Sequence, residues 1–299
     1  MRPHVPRHAR RAGGRDDGER VKPEGDDRRA VSPAGAVHQM RLMTWNIHGA
    51  RPLLGSANLQ RVIDIVRKHE ADIVALQEVD TRYCGLSAFE LLASSLGSHR
   101  AEARMIVAPE GDRGHVVLSR WPMTQSRLHD LSVGRREPRA AIEAMIETPA
   151  GALHVVAVHL GLSLRERHRQ AVKLAELATN AAQPTVMLGD FNDWLWHGSV
   201  QWALRAILPG RSRLRTFPAG FPLFRLDRIY CRPETILSGC FTDPAARIAS
   251  DHLPVIADVT IPLASTQDEV AAGTVSLPGR GGSSVVQGNA GADPARSPG

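Results

Sequence analysis

Residues 185–192 read Thr-Val-Met-Leu-Gly-Asp-Phe-Asn, an apolar segment that ends in a glycine and then carries a carboxylate and a carboxamide. The residues before the glycine predict a buried β-strand. Side chains alternate along a strand, so Asp190 and Asn192 are expected to face the same side. Such groups at a strand end can hold a hard divalent cation or a phosphate group. This segment therefore predicts a sheet with a chemically active edge.

Three further segments place polar residues directly against a hydrophobic strand. They are Trp45-Asn46-Ile47-His48, Leu76-Gln77-Glu78-Val79-Asp80 and Ala249-Ser250-Asp251-His252-Leu253-Pro254. Each segment is short, but the ordered set of four, spread from Leu42 to Val259, is far more specific. Together they resemble the endonuclease/exonuclease/phosphatase superfamily. The resemblance implies a deoxyribonuclease-I-like fold and cleavage of phosphoester bonds with a divalent metal.

Composition divides the 299 residues into a central region that can fold and two ends that cannot. Residues 1–39 are rich in Arg, Asp, Gly and Pro without apolar periodicity, and residues 264–299 have few large side chains. Neither end can bury enough apolar surface to offset its ordering entropy. We therefore predict one domain over residues 40–263, between two disordered segments.

The net charge of +6 is spread unevenly along the chain. The first 39 residues carry +3 and the last 36 carry −1, which leaves +4 on the central region. Arginines of that region cluster in sequence: Arg135, Arg136 and Arg139; Arg165, Arg167 and Arg169; and Arg211, Arg213, Arg215, Arg225 and Arg228. These clusters suit an anionic substrate, although solvated surface charge is the commoner explanation of any one cluster.

Cysteine usage and the absence of long apolar runs exclude several classes of protein. The three cysteines form no C-x-x-C pair, so neither a disulfide scaffold nor a zinc site is indicated. The N-terminal arginines precede no apolar stretch, and no run approaches the length of a membrane span. We expect a cytoplasmic protein without a transmembrane segment.

The order of predicted elements decides the fold class. Many short strands interleave with three or four helices and show no repeats, which predicts an α/β sandwich of two sheets flanked by helices. With the resemblance, this becomes a four-layer α/β sandwich whose two packed sheets are mainly antiparallel or mixed. A Rossmann fold is the weaker interpretation, because no G-x-G-x-x-G opens a helix.

The candidate metal ligands are acidic and amide side chains. Glu78 follows a predicted strand, and its hard oxygens suit Mg²⁺ or Mn²⁺, although an exposed glutamate at this place can also be a merely solubilising end. The resemblance implies that Asn46 and Asp251 belong to the same metal site. His48 departs from the family, because several nucleases have an aspartate there. That departure weakens any assignment to abasic-site repair.

The resemblance also implies an acid–base pair. It makes His252 the general base or phosphate-polarising residue and Asp227 its partner, because a carboxylate on one ring nitrogen fixes the tautomer and stabilises the imidazolium. Ser250 is expected to brace the turn. A serine-hydrolase triad of Ser250, Asp251 and His252 is excluded, since adjacent residues point in diverging directions and no G-x-S-x-G elbow is present.

Four more side chains complete the predicted site. By the resemblance, Asp190 orients or deprotonates the attacking water, Asn192 donates to the phosphoryl oxygens and His159 supplies another donor. Taken alone, a histidine at a strand end is more often structural. Arg139 is a candidate phosphate contact on the substrate side.

These residues predict a metal-dependent phosphoesterase that uses an activated water. The substrate class stays open between nucleic acid, a phospholipid head group and another anionic phosphodiester, and the oligomeric state is not predicted. The alternative is a catalytically silent binding module on the same fold. We expect such a module to have lost His252 or Asp190, whereas this chain keeps every principal position except the variation at His48.

Overall fold

The computed structural model describes residues 36–194 and 198–263, which form two β-sheets and their flanking helices. The strands, numbered in chain order, are β1 Val37–Asn46, β2 Ile73–Asp80, β3 His99–Ile106, β4 Arg113–Ser119, β5 Met123–Asp130, β6 Ala140–Thr148, β7 Gly151–His159, β8 Thr185–Asp190, β9 Gly210–Arg211, β10 Asp227–Arg232, β11 Leu237–Phe241 and β12 Val255–Pro262. The α-helices are α1 Leu59–Lys68, α2 Thr81–Cys84, α3 Ala88–Leu96, α4 Leu164–Asn180 and α5 Ser199–Leu204. Short 3-10 turns cover His48–Ala50, Glu234–Ile236 and Pro244–Ile248.

Each sheet has six strands and is mixed. The first has the order β11-β12-β1-β2-β4-β3, and the second has the order β5-β6-β7-β8-β10-β9. Near the centre of each sheet one pair is parallel, β1 with β2 and β7 with β8, while the other pairs are antiparallel. Parallel neighbours end at the same edge of a sheet. Polar residues that follow these strands are therefore brought together.

Buried apolar side chains form three clusters that define four layers. One cluster lies between the sheets and includes Leu42, Ile142 and Val186. The outer face of the first sheet packs against α1 and α3, and the outer face of the second packs against α4 and α5. Each fully buried large apolar side chain contributes about 1.5–3 kcal/mol. The predicted four-layer α/β sandwich is confirmed.

The glycine of the 185–192 segment allows two strands to pair closely. Gly189 has φ +153°, and a Cβ at this position would lie 2.0 Å from the carbonyl oxygen of Val158 on β7. Only a residue without a side chain tolerates this approach. The glycine thus holds the β8 end, and Asp190 with it, in register with His159.

The domain begins slightly earlier than its predicted start at Met40. Val37, His38 and Gln39 pair with the end of β12, because their extended backbone supplies hydrogen bonds to that strand. These residues therefore belong to the sheet and not to the disordered segment predicted for residues 1–39. Residues 1–35 and 264–299 lie outside the described residues, so the disorder predicted there stays a prediction. No helix in the described ranges is long and apolar enough to cross a membrane.

Asp243 ties helix α1 to the turn that precedes residues 250–252. Its buried carboxylate accepts hydrogen bonds from Lys68 Nζ at 2.7 Å, from His69 Nε2 at 2.8 Å and from the Ala245 backbone N–H at 2.9 Å. Burial alone would raise the pKa of Asp243, but Lys68 and His69 lower it to about 2. A carboxylate with a lowered pKa stabilises the fold above its unfolded pKa, and this stabilisation is lost as pH falls through the folded pKa.

We expect the substitution Asp243→Asn to lower the free energy of unfolding by about 2 kcal/mol at pH 7, because the charge-assisted hydrogen bonds are weakened. The difference from the wild type should shrink between pH 4 and pH 2, where Asp243 becomes protonated in the unfolded and then in the folded state. Urea unfolding of both proteins at pH 7 and pH 3 measures this. Asp64→Asn on α1 is the control, and an equal loss at both pH values would contradict the role of the charge.

Candidate active site

Three non-glycine residues with left-handed backbone conformations lie at the polar ends of the central strands. They are His48 with φ +48°, Glu78 with φ +53° and Asn192 with φ +48°. At Glu78 the pairing of β2 with β4 shifts register, so β2 bulges there. Such conformations cost on the order of 1–3 kcal/mol each and concentrate at functional sites. They aim the polar side chains away from the regular strand directions.

Asn46 joins one carboxylate from each sheet. Its side-chain Nδ2 donates to Glu78 Oε1 and to Asp190 Oδ2, both at 3.0 Å. Its Oδ1 accepts from the backbone N–H of His48 at 3.0 Å. Since carboxylates only accept, the amide nitrogen must face them. Asn46 therefore positions Glu78 and Asp190, while its own oxygen is already engaged by the backbone.

Glu78 is held in its ionised form. His48 Nδ1 lies 3.4 Å from Glu78 Oε2, and His159 Nε2 lies 3.6 Å from Glu78 Oε1. Burial opposes ionisation, but the hydrogen bonds from His48 and Asn46 hold the pKa of Glu78 well below its usual range. The carboxylate can therefore attract a cation at neutral pH.

His159 is a neutral imidazole. It is buried at the end of β7, and its Nε2 lies 3.7 Å from Asp190 Oδ2. Burial, and then the charge of Arg139, lower the pKa of His159 to about 3. A neutral imidazole has one N–H, so His159 can donate a single hydrogen bond without adding charge.

His252 and Asp227 form the predicted pair. His252 Nδ1 lies 2.8 Å from Asp227 Oδ2, and Thr216 Oγ1 donates to the same oxygen at 2.6 Å. Burial would lower the pKa of His252, but Asp227 and then Asp190 raise it to about 10. At neutral pH the ring is an imidazolium. The sequence left two roles open for His252. The raised pKa favours polarisation of the phosphate over action as a general base.

The surroundings of Asp190 favour its neutral form, whereas those of His252 favour its charged form. It is buried, and it accepts hydrogen bonds from Asn46 Nδ2 and from the Asn192 backbone N–H at 2.8 Å. Burial, and then the charge of Asp227, raise the pKa of Asp190 to about 6. A carboxylate whose pKa lies closer to neutrality is a better proton acceptor from water.

Asn192 reaches the site by a different route from the one predicted. Strand β8 ends at Asp190, so strand alternation does not apply; instead the Asn192 N–H binds Asp190 Oδ1 and turns the chain. Its Nδ2 donates to the carbonyl oxygen of Leu160 at 3.0 Å. One amide hydrogen is therefore engaged by the backbone, and only the second is available to a ligand.

The turn that carries His252 is braced by buried hydrogen bonds. Ser250 Oγ donates to the carbonyl oxygen of Asn46 at 2.7 Å and accepts from the His252 N–H at 3.0 Å. Trp45 Nε1 donates to the carbonyl oxygen of His252 at 2.9 Å. Ser250 has no exposed surface, so it braces the turn as predicted and is not placed as a nucleophile.

One group of side chains within the described residues has the spacing of a metal site but is already paired. Ligand atoms of Asp190, Asp227 and His252 lie within 4.8 Å of one another. However, His252 Nδ1 and Asp227 Oδ2 are hydrogen-bonded to each other, and Thr216 binds the same oxygen. A cation between these atoms would have to break both bonds. This group fits proton transfer better than metal binding.

A second group among the described residues has the donor chemistry of a hard-cation site but a wider spacing than the first group. Glu78 Oε2 and Asp251 Oδ1 both face His48 Nδ1, at 3.4 and 3.8 Å. Asp251 Oδ1 is buried and has no hydrogen-bond partner among the described residues. An unsatisfied buried acceptor costs about 1–3 kcal/mol, which a bound cation would offset. Carboxylate oxygens are the ligands that Mg²⁺ and Mn²⁺ prefer.

A small cavity beside Glu78 reveals a polar residue that sequence reasoning missed. About 10 Å³ in volume, it is lined by Glu78, His115, Arg139 and His159, with room for roughly one water molecule. His115 Nε2 and Arg139 Nε are buried without hydrogen-bond partners in the described part of the chain. Arg139 Nη1 lies 2.9 Å from Glu137. His115 stands inside the apolar strand β4, and the sequence offered no further signal for it.

Comparisons with known proteins identify the family and the fold. The model of the Endonuclease/Exonuclease/phosphatase family matches residues 43–252. The Escherichia coli (strain K12) protein YbhP, itself described as uncharacterized, is 37% identical over 249 residues, covering 73% of this chain and 95% of YbhP.

Solved structures share the fold. An endonuclease/exonuclease/phosphatase from Beutenbergia cavernae superposes with a TM-score of 0.61 at 22% identity, covering 76% of this chain and 72% of that one. The mannosyl-6-phosphatase Bt3783 from Bacteroides thetaiotaomicron superposes with a TM-score of 0.53 at 16% identity, covering 73% and 98%.

Proposed function

Because the chain belongs to the endonuclease/exonuclease/phosphatase family, whose members are phosphoesterases, we propose that it hydrolyses phosphodiester bonds with the help of a divalent metal. One observation carries the proposal. The Asn46 amide joins Glu78, which faces the candidate cation site, to Asp190, which adjoins the His252–Asp227 pair. Metal binding and proton transfer can therefore act on one phosphate group.

Each group has a role that its surroundings support. Glu78 and Asp251 would hold Mg²⁺ or Mn²⁺, which when bound stabilises the negative charge of the phosphoryl oxygens. Asp190 orients the attacking water and accepts its proton. His252 donates to a phosphoryl oxygen, and Asp227 stabilises the imidazolium that does so.

Donors on the other side of Glu78 complete the electrostatic stabilisation. His159 offers a neutral N–H, and Arg139 offers a guanidinium that points into the same small cavity. Asn192 contributes its second amide hydrogen. Donors that are fixed before the reaction need no reorganisation when charge develops on the phosphate, which is why they accelerate the reaction.

A catalytically silent binding module on the same fold is the alternative. The arrangement of His252 argues against it, because its imidazole is bonded to Asp227 at 2.8 Å and ligand atoms of His252, Asp227 and Asp190 lie within 4.8 Å of one another. Hydrolysis requires such positioned proton-transfer groups, whereas a module that only binds a ligand does not.

Hydrolysis of bis(p-nitrophenyl) phosphate, a small diester, tests the proposal directly. The purified full chain should release p-nitrophenol from this diester in the presence of Mg²⁺ or Mn²⁺, and faster than from the monoester p-nitrophenyl phosphate. Nucleic acids, phospholipids and phosphosugars assayed in parallel would narrow the substrate class. Absence of turnover on every substrate with both metals would favour the silent module.

The charge of the domain also predicts a substrate preference. Its central region carries only +4, and the chain between Asp193 and Asp227 is short, which leaves little surface to grip a duplex. We expect single strands, lipid head groups or small diesters to be cleaved several-fold faster than intact duplex DNA. Any binding of nucleic acid should weaken steeply with salt, because phosphate contacts release counterions.

Side-by-side assays of duplex DNA, single-stranded DNA and phospholipid vesicles at equal metal and salt concentrations measure this preference. A heat-denatured sample of the same DNA is the matched control for sequence. Duplex DNA as the clearly preferred substrate would contradict the prediction, while the assignment to phosphodiester hydrolysis would stand.

A further inference from the structure

Four arginines from two neighbouring segments of the chain, residues 211–213 and 225–228, line one cavity near the candidate active site. The cavity has a volume of about 120 Å³, and the arginines are Arg211, Arg213, Arg225 and Arg228. They belong to a cluster whose sequence pattern left open whether it binds an anion or only faces solvent. The fold brings Arg211 close to Arg228, because β9 pairs with β10 and places Arg211 opposite Tyr230, two residues from Arg228 on the same strand.

Asp193 is the acidic residue among those that line the cavity. It is buried in the wall, and its carboxylate is shared between Arg228 Nη1 at 4.0 Å and Arg167 Nε at 3.9 Å. Arg167 does not line the cavity, so part of the negative charge of Asp193 is directed away from it. Burial, and then the charges of neighbouring arginines, lower the pKa of Arg225. Crowding of like charges is unfavourable, and an anion in the cavity would relieve it.

Two of the arginines differ in how they are held. Arg228 is buried and anchored: it donates from Nε to the Arg225 carbonyl oxygen at 2.8 Å, from Nη1 to Tyr230 Oη at 3.0 Å and from Nη2 to the Asp193 carbonyl oxygen at 3.1 Å. Arg213 is exposed and makes no hydrogen bond or ion pair within residues 36–194 and 198–263. The cavity thus combines a rigid wall with a guanidinium that is available to a ligand.

A short aromatic wall separates the cavity from His252. The Trp194 indole lines the cavity, and its centroid lies 5.6 Å from the Phe217 ring and 5.0 Å from the Phe224 ring. Phe217 in turn lies 4.8 Å from the imidazole of His252. Two ring contacts therefore connect Trp194, which lines the cavity, with the imidazole of His252.

We propose that this cavity is a second phosphate site, which binds a phosphate group of the substrate other than the one that is cleaved. Guanidinium groups bind phosphate through paired hydrogen bonds, which lysines cannot reproduce. The volume of about 120 Å³ is several times the roughly 30 Å³ that one water molecule occupies in the liquid, which leaves room for a phosphate group. The inference rests on the proposed function for the identity of its substrate, but binding of phosphate to the cavity does not depend on turnover.

Calorimetric titration of the full chain with inorganic phosphate, in the presence of chelator, tests the site without catalysis. We expect Arg213→Gln to weaken phosphate binding roughly tenfold, since a charge-assisted hydrogen bond contributes about that factor. Arg127→Gln is the matched control, because Arg127 is exposed on β5 at the opposite edge of the same sheet. The same tenfold difference between the wild type and Arg213→Gln should appear when both proteins also carry His159→Ala, which separates the cavity from the catalytic centre.

Two dithymidine dinucleotides, with and without a 5′-terminal phosphate, test whether the bound phosphate belongs to a substrate. We expect Arg213→Gln to raise KM roughly tenfold for the phosphorylated dinucleotide and to leave kcat for that substrate unchanged. For the unphosphorylated dinucleotide, both kcat and KM should stay unchanged. Arg213→Lys should restore part of the affinity by keeping the charge.

The outcomes separate the two proposals. In one outcome, Arg213→Gln weakens phosphate binding and yet changes KM equally for both dinucleotides. That result would keep the cavity as a site for free phosphate and would overturn its role in binding the substrate. Phosphate binding that is equal in wild type and Arg213→Gln would overturn the site itself. A lack of turnover on both dinucleotides would count against the proposed function alone, because the calorimetric result is independent of it.

Discussion

Removal of divalent metal should abolish phosphodiester hydrolysis by this protein, and added Mg²⁺ or Mn²⁺ should restore it. Glu78 and Asp251 each place a carboxylate oxygen near His48 Nδ1, at 3.4 and 3.8 Å, and Asp251 Oδ1 is buried without a hydrogen-bond partner among the described residues. Without a cation, these negative charges would repel the substrate phosphate. Turnover of bis(p-nitrophenyl) phosphate before and after chelation, and after metal is added back, measures the effect.

The variant Glu78→Gln separates the metal role from a general loss of structure. Glutamine keeps the size of the side chain but removes its charge, so we expect turnover to fall by about a hundredfold or more. The metal concentration that gives half-maximal activity should rise. Glu90→Gln, on the exposed face of α3, is the matched control. Full turnover in excess chelator would exclude a metal-dependent reaction.

Replacement of His252 by alanine should lower turnover by roughly 10² to 10⁴, the contribution of a positioned proton donor or acceptor. The imidazole is buried and bonded to Asp227, and its pKa is raised, so the variant removes a fixed positive donor. Asp227→Asn should lower turnover by roughly a hundredfold or more, because it removes the charge that stabilises the imidazolium and that fixes the ring tautomer. Asp190→Asn should do the same by removing the proton acceptor.

His168→Ala, on the exposed side of α4, is the matched control for these variants. Circular dichroism and thermal melting should show that the fold survives, since the Ser250 and Trp45 bonds that brace the turn use backbone atoms of residue 252. Wild-type turnover by a folded His252→Ala protein would show that the assigned chemistry is wrong.

Local sequence was a good guide to the strand ends but not to their geometry. The 185–192 segment predicted both the buried strand β8 and a polar end at Asp190. It does not predict that β8 stops at Asp190, where the Asn192 N–H binds Asp190 Oδ1 and strand alternation no longer sets the orientation of Asn192. Residues 37–39 join β1 although the domain is predicted to start at Met40, because their pairing with β12 depends on residues more than 200 positions away.

The sequence by itself determined the element types, the four-layer fold and the identity of the main candidate site residues. The element types follow from apolar periodicity, whereas the four-layer arrangement and the candidate site residues follow from the resemblance of four short ordered motifs to the family. Only the tertiary structure decided that the Asn46 amide bridges the two sheets, that His115 and Arg139 share one small cavity, and that the arginines of residues 211–228 converge. The reason is physical: such contacts join residues distant in sequence, and their distances depend on strand order and register, which local patterns do not encode.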